Sequence, residues 1–532
     1  MNGDPVAKPD SSPTAQATEA AKSGREVEIK FRADPATVQA VLNAPQLAGV
    51  TVGPEREIVS IYFDTPSREL KRKGLTLRLR RKGRAAPVLG VKWTGETTED
   101  AFTRGEIEVR APEGMPNINL FEPTLRDRMK SVIGEASIIP LFETRFKRRT
   151  AVLTHGRSTI ELAVDHGAII AGDARLPLAE LELELKSGNI ADLVSCARGL
   201  AKECSLSLQF EPKAGRGYRL LEGEAARPQK ALPVALTRTA NFDDLITAVI
   251  SSSLMHFVAN WTSLNDSDAP ESIHQLRVAL RRMRSALSIF RKTITLPELE
   301  DIRSEARRIA SALGPARECD AFRQNALAGP FRNQSKRFNS AAVLLEVVEK
   351  RRQESYLSAR QIIESPATTL FVLDVQSFLL RRAWRTALAP QELSLLTSEA
   401  RAFAGPVLDR LRRRVLKRGK HLPDMPDDER HELRIALKNL RYAIEFFGSL
   451  FGNGKDVRDF LRIVADLQED LGIHNDSVTA ESFIATLDVE NNAEAQYAAG
   501  YLLGYYRHAT ILADTHLSKK WKNFRRATTF WA

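Results

Sequence analysis

The hydrophobic period of this chain changes once, at about residue 225, so two different kinds of core are expected. From Arg25 to about Glu224 the dominant period is two. Glu26-Val27-Glu28-Ile29-Lys30-Phe31, Leu75-Thr76-Leu77-Arg78-Leu79-Arg80, Glu106-Ile107-Glu108-Val109 and Glu180-Leu181-Glu182-Leu183-Glu184-Leu185-Lys186 all alternate. Alternation of this kind makes strands with one polar and one apolar face. Turn signals at Gly53-Pro54, Lys82-Gly83, Pro112-Glu113-Gly114, His166-Gly167 and Ser187-Gly188 separate them. Helical stretches interrupt at Ala36 to Leu42 and Ile190 to Cys204. This half reads as α+β, built around antiparallel strands. Residues 225–236, with two prolines, read as a linker, and from residue 237 to 532 the spacing is helical. Residues 1–24, rich in Ala, Ser, Thr and Pro, read as a disordered tail without the order of a signal peptide.

The helical half contains a duplication. His274 to Phe290 aligns without gaps on His431 to Phe447, an offset of 157 residues with eight of 17 positions identical. Leu313-Gly314 is echoed by Leu471-Gly472, and Glu318 by Asp476, at an offset of 158. On a helix, His274, Arg277, Arg281 and Arg284 form one stripe, and His431, Arg434, Lys438 and Arg441 repeat it. Leu276, Leu280, Met283, Leu287 and Phe290 form a core-facing stripe, repeated by Leu433, Leu437, Leu440, Ile444 and Phe447. A row of cations one turn apart is repulsive until an anion neutralises it. Ordinary solvated faces, or a metal site on the histidines, are the competing readings. Each copy offers one His among cations without nearby carboxylates at ligand spacing, which disfavours Zn²⁺.

Composition narrows the partner. The net charge of +11 favours polyanions, whereas an aromatic content of 7% is thin for a protein that stacks bases. Nucleic acid is therefore disfavoured as a partner. Three cysteines, Cys196, Cys204 and Cys319, exclude a disulfide framework and fit a reducing cytoplasm. No uninterrupted apolar run reaches about 18 residues, so no membrane span is expected.

In the strand half, acids and bases recur at i and i+2, which share a face. Were these strands to close into a barrel with charged faces inward, they would make a polar tunnel. Carboxylates there suit Mg²⁺ or Mn²⁺, and Lys and Arg suit phosphate oxygens. No Gly-rich loop ending in Gly-Lys-Ser/Thr appears, which argues against a P-loop enzyme.

Glu26-Val-Glu28-Ile-Lys30 matches an E-x-E-x-K signature, and residues 25–224 resemble the CYTH family, the triphosphate tunnel metalloenzymes. Supporting motifs are Tyr62-Phe63-Asp64-Thr65, Leu77-Arg78-Leu79-Arg80, Val91-Lys92-Trp93, Arg104-Gly-Glu106-Ile-Glu108, Glu180-Leu-Glu182-Leu-Glu184 and Lys213-Ala-Gly-Arg216-Gly-Tyr218. The resemblance implies an eight-stranded antiparallel tunnel barrel. On it, Lys30, Arg78, Arg80, Lys92, Arg145, Lys186, Lys213 and Arg216 would bind phosphate. Glu182 and Glu184 would hold a substrate-bound metal. Glu26 and Glu28, with Glu106, Glu108 and Asp165, would hold or orient a second metal and the attacking water, and Glu26, Glu28 and Lys30 would be catalytic.

The H-x-L-R-x-A-L-[RK]-x-x-R repeats, with Leu-Gly-x-x-x-[DE] loops at Leu313-Gly and Leu471-Gly, resemble the CHAD family over residues 237–532. That resemblance implies two pseudo-symmetric four-helix bundles with a basic cleft for inorganic polyphosphate, extended by Arg412-Arg413-Arg414 to Lys420. The order CYTH then CHAD resembles cytoplasmic bacterial inorganic triphosphatases. Nucleoside or thiamine triphosphate hydrolysis, cyclic AMP synthesis, or a non-catalytic polyphosphate scaffold are the alternatives.

Overall fold

The computed structural model describes residues 24–94, 101–332, 339–452, 454–489 and 491–531. The tail expected over residues 1–24 lies, Gly24 excepted, outside the described residues. Contacts divide the chain into two compact units, Met1–Ala226 with Glu364–Leu380, and Arg227–Ile363 with Arg381–Ala532.

In the first unit the alternating segments become β1 (Arg25–Arg32), β2 (Arg56–Asp64), β3 (Leu75–Lys82), β4 (Val88–Thr94), β5 (Thr103–Arg110), β6 (Ile139–His155), β7 (Ser158–Ala171) and β8 (Ala174–Ser187). They close into a barrel in the order β1-β5-β4-β3-β2-β6-β7-β8, with antiparallel pairing throughout. Helices of eight or more residues before residue 226 are α1 (Pro35–Leu42), α2 (Pro123–Ile133), α3 (Ile190–Cys204) and α4 (Lys213–Glu222).

Parity assigns the faces. Leu75, Leu77 and Leu79 of β3 and Leu89 and Val91 of β4 pack outward against Leu125, Met129 and Ile133 of α2. Arg78, Arg80 and Lys92, of opposite parity, therefore face the tunnel. Helix α3 lies across β1 and β8 and buries Leu193, Val194, Ala197 and Leu200. Residues Tyr218, Leu220 and Leu221 of α4 pack on Tyr62, Phe142 and Ile169. A Cβ on Gly217 would sit 2.0 Å from the Phe142 ring, so only glycine lets α4 approach this closely.

The second unit carries α5 (Phe242–Ala259), α6 (Pro270–Phe290), α7 (Pro297–Ala312), α8 (Gly314–Ala328), α9 (Asn339–Ile363), α11 (Ala400–Arg418), α12 (Asp427–Phe447), α13 (Gly454–Ile484) and α14 (Ala493–Arg526), while α10 (Pro366–Arg381) belongs almost wholly to the first unit. The duplicated segments are α6 and α12, which pack against each other. Every residue of the two core-facing stripes is at most 1% exposed. The apolar stretch Phe242–Asp266 is long enough to cross a bilayer, and 67% of its most apolar 18-residue window is buried in the unit.

The expected Leu-Gly loops need correction, because both segments are helical. In the first copy, helix α7 ends at Ala312 and α8 starts at Gly314, with Pro315 at its first turn. In the second copy, α13 runs unbroken through Leu471-Gly472. Ile473 stands where the first copy has Pro315. Proline lacks the N–H that would continue a helix from the preceding turn, so it is accommodated in the first turn of a new one.

Candidate functional site

The tunnel holds a cavity of about 350 Å³. Of the residues expected there, Glu26, Glu28, Lys30, Arg78, Arg80, Lys92, Glu106, Glu108, Glu182, Glu184, Lys186 and Lys213 line it. Strand register brings acid to base where Lys30 pairs opposite Glu182 and Lys92 opposite Glu106, and it sets two acids against each other where Glu28 stands opposite Glu184.

Lys30 Nζ lies 2.9 Å from Glu28 and 2.9 Å from Glu182. Lys213 Nζ lies 2.7 Å from Glu182, 2.5 Å from Glu180 and 2.9 Å from Asp165. Arg78 reaches Glu106 at 2.5 Å and Glu108 at 3.1 Å. Lys92 pairs with Glu26 and lies 3.3 Å from Glu106. Lys186 bridges Glu184 at 2.8 Å and Glu161 at 3.2 Å.

Burial opposes the charge on Lys30, but Glu182 and Glu28 outweigh it and hold the ammonium above its usual range. Burial likewise works against Glu182, yet Lys213, Lys30 and Arg148 hold its carboxyl well below the usual range. Burial, then repulsion from Arg78, lowers the Arg80 guanidinium. Glu184 goes the other way. Burial pushes its carboxyl up past the pull of Lys186, and Glu26 and Glu161 add to the rise.

Arg145 is a correction. Its side chain is 54% exposed and pairs with Glu143 and Glu57 outside the tunnel. Its parity on β6 is that of Glu143 and Lys147, and the tunnel position belongs to Arg148. Arg148 grips Asp165 with two nitrogens, at 2.6 and 2.5 Å, and also pairs with Glu182. Asp165 and Arg216 sit behind the cavity wall: Asp165 is locked by Arg148 and Lys213, and Arg216 pairs with buried Glu180. Arg148, Glu161, Tyr62, Lys82 and Arg104 line the cavity and were not expected. Glu161 carried a signal, because it alternates with Ile160 and Leu162 and shares a face with Asp165, whereas Arg148 lies among cations of both parities. Asp64, though in a quoted motif, is structural: it accepts from the backbone N–H of Thr65, Leu70 and Lys71 and from Tyr218 Oη.

The acids fit a divalent cation at the β1–β8 seam. Glu28 Oε1 is buried and accepts no well-formed hydrogen bond. Burial raises Glu184 first and repulsion from Glu26 and Glu161 adds to it, and a cation beside these carboxylates would relieve both. Asp165, Glu180 and Glu182 each place an oxygen within 4.8 Å of the others, but their oxygens are already taken by Arg148, Lys213 and Arg216.

In the helical unit the two cation rows partly converge. Arg281 donates to Tyr442 Oη at 3.3 Å. Burial, then Arg434, Arg281 and Arg277, pushes the Lys438 ammonium down to about 7, against the pull of Asp476. Burial and Arg317 push His274 down to about 4, and burial and Arg281 push Arg277 down to about 10. The buried Nε atoms of Arg277, Arg284 and Arg434 have no hydrogen-bond partner. Arg284 faces Arg307 and Arg303. His431 and Arg441 lie at the edge, bonded to Asn475 at 2.9 Å and Glu445 at 3.0 Å. His431 also lines a cavity of about 1330 Å³ with Arg414, Lys417 and Arg418 of the expected basic run. Arg317, from the segment after Pro315, was missed.

Comparison with known proteins agrees with this geometry. The CYTH domain model matches residues 24–218, and the CHAD domain model matches residues 248–485. The inorganic triphosphatase of Haemophilus influenzae is 29% identical over 204 residues, 37% of this chain, and the match spans 55% of that relative. An uncharacterized protein of Mycobacterium tuberculosis is 24% identical over 517 residues, covering 91% of this chain and 93% of its own. The crystal structure of the CHAD domain from the plant Ricinus communis superposes with a TM-score of 0.49 at 26% identity, over 57% of this chain and 98% of its own.

Proposed function

We infer, from a chain that carries a CYTH domain followed by a CHAD domain, that the tunnel hydrolyses inorganic triphosphate to pyrophosphate and phosphate with Mg²⁺ or Mn²⁺, and that the helical unit binds inorganic polyphosphate. The observation that carries the first part is the closed barrel wall, where Lys and Arg side chains paired with buried acids stand beside the acid cluster of Glu26, Glu161 and Glu184. A linear triphosphate offers oxygens to the first set and, with a cation, satisfies the second.

Lys30, Arg78, Arg80, Lys92, Lys186, Lys213 and Arg148 bind phosphate oxygens, exchanging carboxylate partners for them. Glu26, Glu28 and Glu184 would hold the metal, with Glu182 on the substrate side, and Glu106, Glu108 and Asp165 would set the orientation of the wall cations. A divalent cation supplies charge neutralisation and a lowered pKa for a coordinated water. Positioning and charge stabilisation then suffice, as is general for phosphoryl transfer. Arg78 and Lys30 would stabilise the charge that accumulates on the phosphoryl oxygens, and Glu28 would orient the attacking water.

Support for the second part is the pair of cation rows whose buried guanidinium Nε atoms stay unbonded. The protein is predicted to be cytoplasmic. Initial rates of phosphate release from tripolyphosphate, ATP and thiamine triphosphate, each with Mg²⁺ or Mn²⁺, test the assignment. The reading expects preference for tripolyphosphate and loss of turnover in EDTA. Equal or better use of ATP or thiamine triphosphate contradicts it.

A further inference from the structure

One helix of the CHAD-matching region is built into the barrel unit. Helix α10 lies within residues matched by the CHAD model, yet Glu364–Leu380 cluster with the barrel. Arg198 of α3 pairs with Asp374, and Arg32 at the end of β1 pairs with Glu364.

The contact reaches the tunnel through one short segment. Strand β5 pairs with β1 at Arg25, Glu26 and Val27, so the β1 edge at Lys30–Arg32 needs another partner. Residues 207–209 supply it. The Arg32 N–H donates to the Ser207 carbonyl at 2.9 Å, the Gln209 N–H donates to the Lys30 carbonyl at 2.8 Å, and Phe31 bridges Leu208. The segment continues past Phe210, whose carbonyl accepts from Arg104 at 3.2 Å, to Lys213 at the start of α4. It thus sets the backbone at Lys30 and at Lys213, the two ammonium groups on Glu182. Backbone groups alternate in direction along such a segment, so the Leu208 N–H points away from β1. It donates to Thr369 Oγ1 of α10 at 3.1 Å, in a fully buried bond.

We propose that Thr369 is a positioning residue for the tunnel reaction, fixing through Leu208 the segment that places Lys30 and Lys213, so that the barrel site is complete only with a helix drawn from the helical half. The proposal rests on the hydrolase reading above for its kinetic consequence. Without Oγ1 the Leu208 N–H is buried with no acceptor, and the segment must shift to find one. Displacement of positioned groups by about 1 Å can cost on the order of a hundredfold in rate.

The test uses the full chain. Thr369→Val keeps the shape and deletes the acceptor, Thr369→Ser keeps the acceptor, and Thr368→Val is the control, equally buried one residue away and turned to Ser365. The expected result is kcat on tripolyphosphate lowered by about tenfold or more in Thr369→Val, restored in Thr369→Ser, and near wild type in Thr368→Val. Amide exchange at Gln209 should accelerate in Thr369→Val alone. That exchange is readable whether or not the chain hydrolyses tripolyphosphate. An inactive wild type would therefore defeat the hydrolase reading while the exchange still decides this proposal. Unchanged exchange at Gln209, or equal losses in the Thr369→Val and Thr368→Val variants, overturns it.

Discussion

Arg145 and Arg148 stand three residues apart on β6 and meet opposite surroundings. Arg145 lies outside, half exposed, where an ion pair is worth little. Arg148 is held by buried Asp165 and Glu182. Arg148→Ala is therefore expected to lower tripolyphosphate turnover by roughly tenfold or more, while Arg145→Ala leaves it within about twofold; steady-state kinetics compares them. The sequence could not separate the two, because β6 carries cations on both faces: Arg145, Lys147 and Arg149 on one, Arg148 on the other. On β1, β3 and β8 the charged face was plain, since the opposite face is apolar along Val27–Phe31, Leu75–Leu79 and Leu181–Leu185.

Lys438 yields a pH prediction. Burial and then Arg434, Arg281 and Arg277 depress it to about 7, with Asp476 opposing, so in the free protein it loses its proton as pH rises through that value. A bound polyphosphate anion raises the pKa again, and binding takes up a proton wherever free Lys438 is neutral and bound Lys438 charged. The sign follows: affinity is level below about pH 7 and weakens by up to about tenfold per unit as pH rises from 7 to 9. Titration calorimetry on the full chain at several pH values should show this slope. Lys438→Arg should remove it, and an unchanged slope in that variant would assign the proton elsewhere.

At the scale of elements, the two periods translated into a barrel and helices, and the repeat was visible as a repeat. The helical continuity of Leu471-Gly472 was not, because a glycine after leucine reads as a stop unless one weighs Ile473 against Pro315. Glycines were informative where a ring lies on them. A Cβ at Gly105 would fall 2.0 Å from the Trp93 ring, so Gly105→Ala should displace Trp93 from the cavity wall and weaken tripolyphosphate binding. Tryptophan fluorescence with and without ligand would register the change. On α10, Gln376 is fully buried, and both its side-chain atoms lack a hydrogen-bond partner among the described residues. An unsatisfied buried amide costs about 1–3 kcal/mol. Gln376→Leu should therefore raise the melting temperature of the full chain, and a lower one would mean the amide has a partner.

At the scale of the whole molecule, the chain is two units whose boundary does not follow the sequence. The period change near residue 225 coincides with one crossing, at Ala226–Arg227, but Glu364–Leu380 cross back. Phe371, Val372, Val375, Phe378 and Leu379 are buried, as they would be in any helical core. Nothing in that spacing says which core receives them, since amphipathic pattern specifies burial and not partner. The tunnel lining, by contrast, was legible in outline because its acids and bases are local along strands and meet by register.

The central claim, that this tunnel cleaves a linear inorganic triphosphate, is tested most directly by following ³¹P resonances of tripolyphosphate with the full chain and Mg²⁺. The account predicts loss of the tripolyphosphate signals with pyrophosphate and phosphate appearing one for one, and no turnover by Glu28→Gln or Lys30→Ala variants that keep the wild-type melting temperature. Persistence of tripolyphosphate with the wild-type chain, or undiminished turnover by either variant, would contradict it.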